Sequence, residues 1–292
     1  MRVTIFSRGP GLYSTSRLVE AAETRGHQVE VTDHAFVTPF LEVGRSSLLY
    51  DGKPMRKPQV VIPRIGANMT VRGISLLRQL DAMQVPHTMN AAALQLARDK
   101  MGSLQALAAA GLDVPDTVLC FSLREVRLGA LRLGSYPIVV KMLESTHGVG
   151  VALAYNLFQL ERIAEGFLQL QQRVLLQEFI EESDGKDVRA LVVGGKIIAA
   201  MERQAQDGEF RANMHLGASA VPIDLNERDQ QTVLTAAECL GVEVAGVDLL
   251  PSANGYLLME VNASPGLEGI ETTTGVDIAG AIVEYALNKV TR

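Results

Sequence analysis

Near the C-terminal end of the chain, the stretch VAGVDLLPSANGYLLMEVNASPG brings two carboxylates and an amide close together: Asp248, Glu260 and Asn262. On a strand Glu260 and Asn262 are two apart and share a face, with Leu257, Met259 and Val261 on the other. A five-residue turn from Ser252 to Tyr256 sets Asp248 directly opposite Glu260, so that three oxygen donors converge. Their surroundings are apolar, with Leu250 and Leu258 in phase with the carboxylates, and ionising unpaired carboxylates there is expensive. A divalent cation removes that cost. Magnesium in particular takes oxygen ligands, keeps several waters, and combines one or two carboxylates with substrate phosphates.

Three other segments carry groups that suit a phosphorylated ligand. Lys141 ends the buried run YPIVVK and is followed by ESTHGVGV, where Gly148 and Gly150 let backbone approach a phosphate closely. The run VLLQEFI ends in Glu178, Phe179 and Ile180, an apolar wall with exposed backbone donors and acceptors of the kind an adenine ring needs. Beyond it Asp187 and Arg189 are in phase across Val188, one suited to a ribose hydroxyl and the other to a phosphate. The loop DGEFRANMHLGA alternates Arg211, Asn213 and His215. Arg211 offers a planar fork for phosphate or carboxylate, Asn213 can hold a metal or phosphate oxygen, and His215 reads as structural. The motifs GxSxG, HExxH and GxxxxGK[ST] are absent, and SRGPG after the first strand lacks a dinucleotide fingerprint.

These groups need strands to aim them, and the pattern supplies strands throughout. Arg2–Phe6, Gln28–Thr32 and Gln59–Ile62 read as strands, with helices at Ser14–Thr24 and Met69–Met83, a small doubly wound α/β unit. A polar excursion containing Gly52, Pro54 and Pro58 interrupts it. Asn90 caps an Ala/Leu-rich helical region running to Ala110, stopped by Gly111, and a domain boundary falls near residue 95. Beyond it strands and helices arrive in the order of an antiparallel α+β sandwich, with a hairpin at Gly194-Gly195, a polar loop over 206–220 and a last helix over 277–290.

Composition limits the partners. The 292 residues are 47% hydrophobic and 21% charged, enough to bury a core, and the net charge of -6 is the wrong sign for a general nucleic-acid binder. Two cysteines, Cys120 and Cys239, stand apart with no metal-ligand spacing and read as reduced thiols of a cytoplasmic protein. No apolar run is long enough for a membrane span or a signal peptide.

Taken in order, RDK at Arg98–Lys100, PIVVK, QEFI, DVRALVVG, FRANMH, GVDLL and MEVNASPGLEGIE resemble the ATP-grasp ligases. More closely, with IFSR, PRIG at Pro63–Gly66 and TTTGVDIAG, the chain resembles the RimK family of glutamate ligases over nearly its whole length. The resemblance implies an ATP-grasp fold with a Rossmann-like pre-ATP-grasp domain at 1–95, a central lobe at 96–185 and a C-terminal lobe with the metal site at 186–292. It implies that Lys100 and Lys141 contact ATP phosphates, that Glu178, Phe179 and Ile180 frame the adenine, and that Asp187, Arg189 and Arg211, Ala212 and Asn213 complete the nucleotide site. Arg211 and Lys141 act in catalysis on this reading; Asp248, Glu260 and Asn262 hold two Mg2+ or Mn2+ ions.

The implied reaction activates an acceptor carboxylate as an acyl phosphate, which the amine of L-glutamate then displaces. The implied acceptor is the acidic C-terminal tail of a small-subunit ribosomal protein, with poly-α-glutamate as a further product and a homo-oligomer as the assembly. In one place the chain departs from the family. Where the family commonly continues its Asn and His with Arg-Gly-Gly, this chain runs His215, Leu216, Gly217, Ala218. That keeps open a related ligase acting on a free amino acid, a small peptide or a carrier protein; a non-catalytic nucleotide-binding regulator is the reading from another class. An acidic chain handling ATP and acidic substrates must gather its cations locally, and Arg64 and Arg203 are further candidates for that cleft.

Overall fold

The computed structural model describes residues 1–143, 150–206, 209–212 and 217–291. In chain order the N-terminal part runs β1 (Arg2–Phe6), α1 (Tyr13–Thr24), β2 (Gln28–Thr32), β3 (Val37–Glu42), β4 (Arg45–Tyr50), β5 (Lys53–Pro54), β6 (Val60–Pro63), α2 (Thr70–Ala82), α3 (Ala91–Arg98) and α4 (Lys100–Ala109). Strands β2, β1 and β6 form a parallel sheet in that order. Strands β1 and β6 are buried on both faces from Val3 and Val60 onward, as strands covered by helices on both sides require, while the edge strand β2 exposes Gln28 and Glu30. Val3, Ile5, Val60 and Ile62 pack with Leu18 of α1, while Phe6 and Val61 pack with Leu76, Leu77 and Leu80 of α2.

Two expectations need correction here. The excursion around Gly52 and Pro54 is not a plain loop: β3, β4 and β5 form an antiparallel meander. Its turn-forming glycines and prolines hid short strands that bury little besides Val37 and Leu48. The helical region from Asn90 is likewise not continuous. Asn90 caps α3 as expected, its Oδ1 accepting from the Ala92 and Ala93 amides, but the helix stops at Asp99. Asp99 has extended backbone (ψ 101°) and its Oδ1 caps a second helix by accepting from the amides of Met101 and Gly102. On one unbroken helix Arg98 and Lys100 would face opposite sides. The break turns both toward the same place.

The rest of the chain runs β7 (Thr117–Cys120), α5 (Leu123–Leu133), β8 (Ile138–Met142), β9 (Val151–Ala154), α6 (Leu157–Gln169), β10 (Val174–Glu178), β11 (Lys186–Val193), β12 (Lys196–Gln204), β13 (Ser219–Pro222), α7 (Glu227–Cys239), β14 (Val244–Ser252), β15 (Gly255–Asn262), α8 (Glu268–Thr274) and α9 (Ile278–Asn288). Strands β7-β10-β8-β9 form one antiparallel sheet; β13-β12-β11-β14-β15 form another. In the first, Ile138, Val140, Val174 and Leu176 point at α5 and α6, leaving Val139, Lys141, Leu175 and Gln177 on the opposite face.

In the second sheet Val188, Ala190, Val247, Leu249, Leu258 and Val261 join Val233 and Ala236 of α7 in one core. The other face begins with Leu191, Val193, Ala199, Met201 and Val244, covered by α8 and α9, and continues in the same rows as Asp187, Arg189, Arg203, Asp248 and Glu260. Apolar cover ends where charge begins. Helix α8 and strand β13 went unforeseen. Three consecutive threonines in α8 are poor helix formers, and burial of Ile270 and Glu271 holds that helix instead. The parallel sheet joins this body through Arg17 of α1 and Arg25 just after it, which donate to Glu271, Asp277 and Glu284.

Candidate active site

Asp248 stands opposite Glu260, as expected, but by another route. Ser252 pairs with Gly255, so the turn is Ala253-Asn254 and not the five residues from Ser252 to Tyr256. The pairing is restored by a β-bulge: Leu249 faces Leu258 and Asp248 faces Glu260, leaving Met259 extra. The bulge also changes the phase. Leu258 is fully buried in the α7 core together with Val261, and so does not share the carboxylate face. Asn262 pairs with Gly246, and its Oδ1 accepts from the Ser264 amide at 3.0 Å. Gly246 is required there, because an added Cβ would sit 2.9 Å from the Cβ of Pro265.

The acids are bound into a network of arginines. Asp248, 3% exposed, accepts from Arg189 Nε at 2.7 Å and Nη2 at 2.5 Å, with Arg203 Nη2 at 3.4 Å. Arg203 also forks onto Asp187 at 2.5 and 2.8 Å. Burial alone would raise the Asp248 carboxyl, but Arg189 and Arg203 outweigh it and hold the group below the usual carboxylate range. Asp187 fares the other way: burial pushes it up to about 6 despite Arg203. In this state Asp187 and Arg189, assigned from sequence to ribose and phosphate, are engaged with Arg203 and Asp248.

On the facing sheet Lys141 Nζ donates to Gln177 Oε1 at 2.6 Å, and Gln177 Nε2 donates to Thr117 Oγ1 at 2.9 Å. Loss of hydration pushes the Lys141 ammonium down to about 8, with Glu260 opposing the shift and Lys100 adding to it. Lys100, at the start of α4, donates to the Leu143 carbonyl at 2.8 Å and is lowered by burial in the same way. Glu260 is exposed and acts electrostatically on Arg98, Lys100, Lys141 and Arg189. Cations from three segments thus gather on one carboxylate. Arg98 was passed over in the sequence because only the break at Asp99 aims it here.

At the end of β10, Glu178 Oε1 accepts from the Asp116 amide at 2.8 Å, and the Ile180 carbonyl accepts from the Ser183 amide and hydroxyl. Phe179 meets Phe210 edge-on at 6.5 Å, which lays segment 209–212 against the strand end. Arg211 Nε and Nη2 donate to Glu209 at 2.9 and 2.7 Å, which holds the Glu209 carboxyl down at about 2. Ala212 is buried. Asn213, His215 and Leu216, and the loop bearing Gly148, lie outside the described residues.

The donor set fits magnesium. Among the described residues no group of three or more His, Cys, Asp and Glu stands together, so the set depends on the Asn262 amide. Two carboxylates and an amide oxygen at a cleft edge are hard ligands that leave positions open for water and phosphate. The arginine forks on Asp248 supply the positive charge that a cation would otherwise bring.

Two antiparallel sheets facing each other across lysines and a hard-oxygen donor set define the ATP-grasp class of ligases. An ATP-grasp ligase, PsnB, complexed with a phosphomimetic variant of minimal precursor, Mg and ADP, superposes with a TM-score of 0.75 at 22% identity, over 100% of this chain and 98% of that one. The RimK-like ATP-grasp domain model matches residues 97–286 and the RimK PreATP-grasp domain model residues 1–94. A probable alpha-L-glutamate ligase of Marinomonas sp. (strain MWYL1) is 45% identical, over 98% of this chain and 95% of its own length. One of Azotobacter vinelandii is 44% identical over the same shares. The chain belongs to the RimK family of ATP-grasp ligases and is an ATP-dependent, ADP-forming ligase. Among the described residues no helix is long and apolar enough to cross a membrane.

Proposed function

We propose that the protein is an α-L-glutamate ligase that joins the amino group of L-glutamate to the C-terminal glutamate of a small-subunit ribosomal protein, with further additions giving a poly-α-glutamate tail. The observation that carries this is the convergence of Lys100, Lys141 and Arg189 on Asp248 and Glu260 between the two sheets. It is an arrangement for a polyanion and not for a side-chain nucleophile. The relatives' name supports glutamate as the amino acid.

In this reading residues 1–95, 96–185 and 186–292 are the three units, and the nucleotide lies between the second and third. Lys100 and Lys141, whose ammonium groups lose hydration on burial, regain stabilisation from the phosphates. Glu178, Phe179 and Ile180 frame the adenine, and Asp187, Arg189 and the segment Arg211, Ala212 and Asn213 complete the site. Arg211 exchanges Glu209 for the transferring phosphoryl group, whose developing charge its planar fork matches. Asp248, Glu260 and Asn262 hold magnesium or manganese, as a pair of ions; bound there, the metal neutralises phosphate charge. The acceptor carboxylate takes the γ-phosphoryl group, and the glutamate amine displaces phosphate to leave an amide. The enzyme works in the cytoplasm as a homo-oligomer.

Leu216, in place of the family's arginine, favours a second reading in which the acceptor is a free amino acid, a small peptide or a carrier protein. Both readings predict ADP release that requires glutamate and an acceptor. Asp248→Asn and Glu260→Gln should each abolish it, and wild-type rates from either variant would sink the metal assignment.

A further inference from the structure

Arg64 and Arg98 have no part in the reaction proposed above, although Glu260 acts on Arg98 through space. Arg64 follows β6 directly, and its Nη2 donates to the Pro265 carbonyl, 2.5 Å away in the loop after Asn262. Arg98 closes α3, and its Nη2 donates to the Ile65 carbonyl at 2.9 Å. Each guanidinium is therefore aimed by one hydrogen bond to a backbone oxygen, and each has five N–H donors to satisfy. Arg98 Nε is shielded from solvent without a hydrogen-bond partner. The two cations act on one another, burial and that repulsion push Arg64 down to about 10, and Glu260 reaches Arg98 only through space. No ion pair among the described residues joins either arginine to a carboxylate.

Two neighbouring guanidinium groups that lose hydration and meet no carboxylate by hydrogen bond are costly unless an anion arrives to join them. We propose that Arg64 and Arg98 form the seat of a substrate carboxylate that does not react, where the end of β6, the broken helix and the Pro265 loop meet. The inference rests on the ligase reading above. Ligation through an α-amino group leaves both carboxylates of the incoming glutamate spare, and the activated acceptor residue keeps its side-chain carboxylate. Phosphate is the poorer occupant, because in the reading above Lys100 and Lys141, which also act on Glu260, already serve that charge. A planar fork matches a carboxylate with two parallel hydrogen bonds, which a lysine at either position does not reproduce.

The test compares wild type with Arg64→Met and Arg98→Met in initial rates, varying L-glutamate, a peptide ending in glutamate, and ATP in turn. The KM for one of the two acids should rise about tenfold or more, the equivalent of one charge-assisted pair, with the KM for ATP unchanged. Whichever acid responds is the one seated. That acid's preference over its carboxamide analogue should also collapse. Arg98→Lys keeps the charge and loses the fork, and should still raise the same KM if the methionine variant does not fold. Unchanged KM for both acids, or a rise for ATP alone, overturns the seat. A wild type that makes no glutamyl product overturns the ligase reading instead. Calorimetric titration with L-glutamate and with the peptide then decides the seat: equal affinity in wild type and both methionine variants refutes it, and about tenfold weaker binding in the variants supports it.

Discussion

Replacing Lys141 with methionine is expected to stabilise the free protein while removing its activity. Burial pushes the wild-type ammonium down to about 8 from a lysine's usual 10.5. At about 1.4 kcal/mol per pH unit, holding it charged at neutral pH costs about 3 kcal/mol, reduced to about 2 because the side chain keeps some solvent contact. Methionine preserves most of the apolar stem but gives up the hydrogen bond to Gln177 Oε1. Leaving that oxygen unpaired costs about 1 kcal/mol, so the net gain at pH 7 is about 1 kcal/mol. The sign depends on pH. Since the folded-state pKa lies below the unfolded one, wild type bears the whole cost below about 8 and sheds it as pH rises toward 10.5. The variant's advantage should shrink across that window to about zero near pH 10, where the remaining charging cost and the lost hydrogen bond nearly cancel. Urea denaturation followed by circular dichroism between pH 7 and pH 10 measures this, and ADP release should fall about 100-fold or more. A variant less stable than wild type at pH 7, or an advantage that ignores pH, refutes the claim that Lys141 is held ready for an anion.

Arg203→Met should cost about 3 kcal/mol at pH 7.5, because it leaves Asp187 buried without its fork. Asp187 already titrates above the usual range, so the loss should be smaller at pH 5, where the folded form takes up the proton; equal losses at both pH values in thermal melts would contradict the pairing. Gly246→Ala should displace the Pro265 loop through the 2.9 Å approach and raise the magnesium concentration needed for half-maximal ADP release by about tenfold. An unchanged magnesium requirement would show that Asn262 does not depend on that loop.

Strand-forming residues and their alternation made most elements legible, including the two sheets and the Gly194-Gly195 hairpin, where φ of +57° and +77° matches a two-residue turn. The facing of Asp248 and Glu260 was reached through a wrong turn length, and the bulge at Met259 compensated for the difference. A bulge leaves no composition signal, which is why Leu258 was given to the wrong face. The stop at Asp99 was hidden by the Ala/Leu-rich sequence on both sides, and with it the aim of Arg98. Lys141 was legible because a lysine ending a buried strand is anomalous. The partners of Asp187 and Arg189 were not, because Arg203 meets Asp187 only through the register of β11 with β12.

Intact mass of the products formed from ATP, L-glutamate, magnesium and candidate acceptors tests the central claim most directly. A ribosomal-protein tail ending in glutamate should gain increments of about 129 Da, one glutamyl residue each, with ADP released in proportion. Increments on free amino acids or small peptides alone would move the assignment to the second reading. ATP that binds without any acceptor gaining mass would contradict the account.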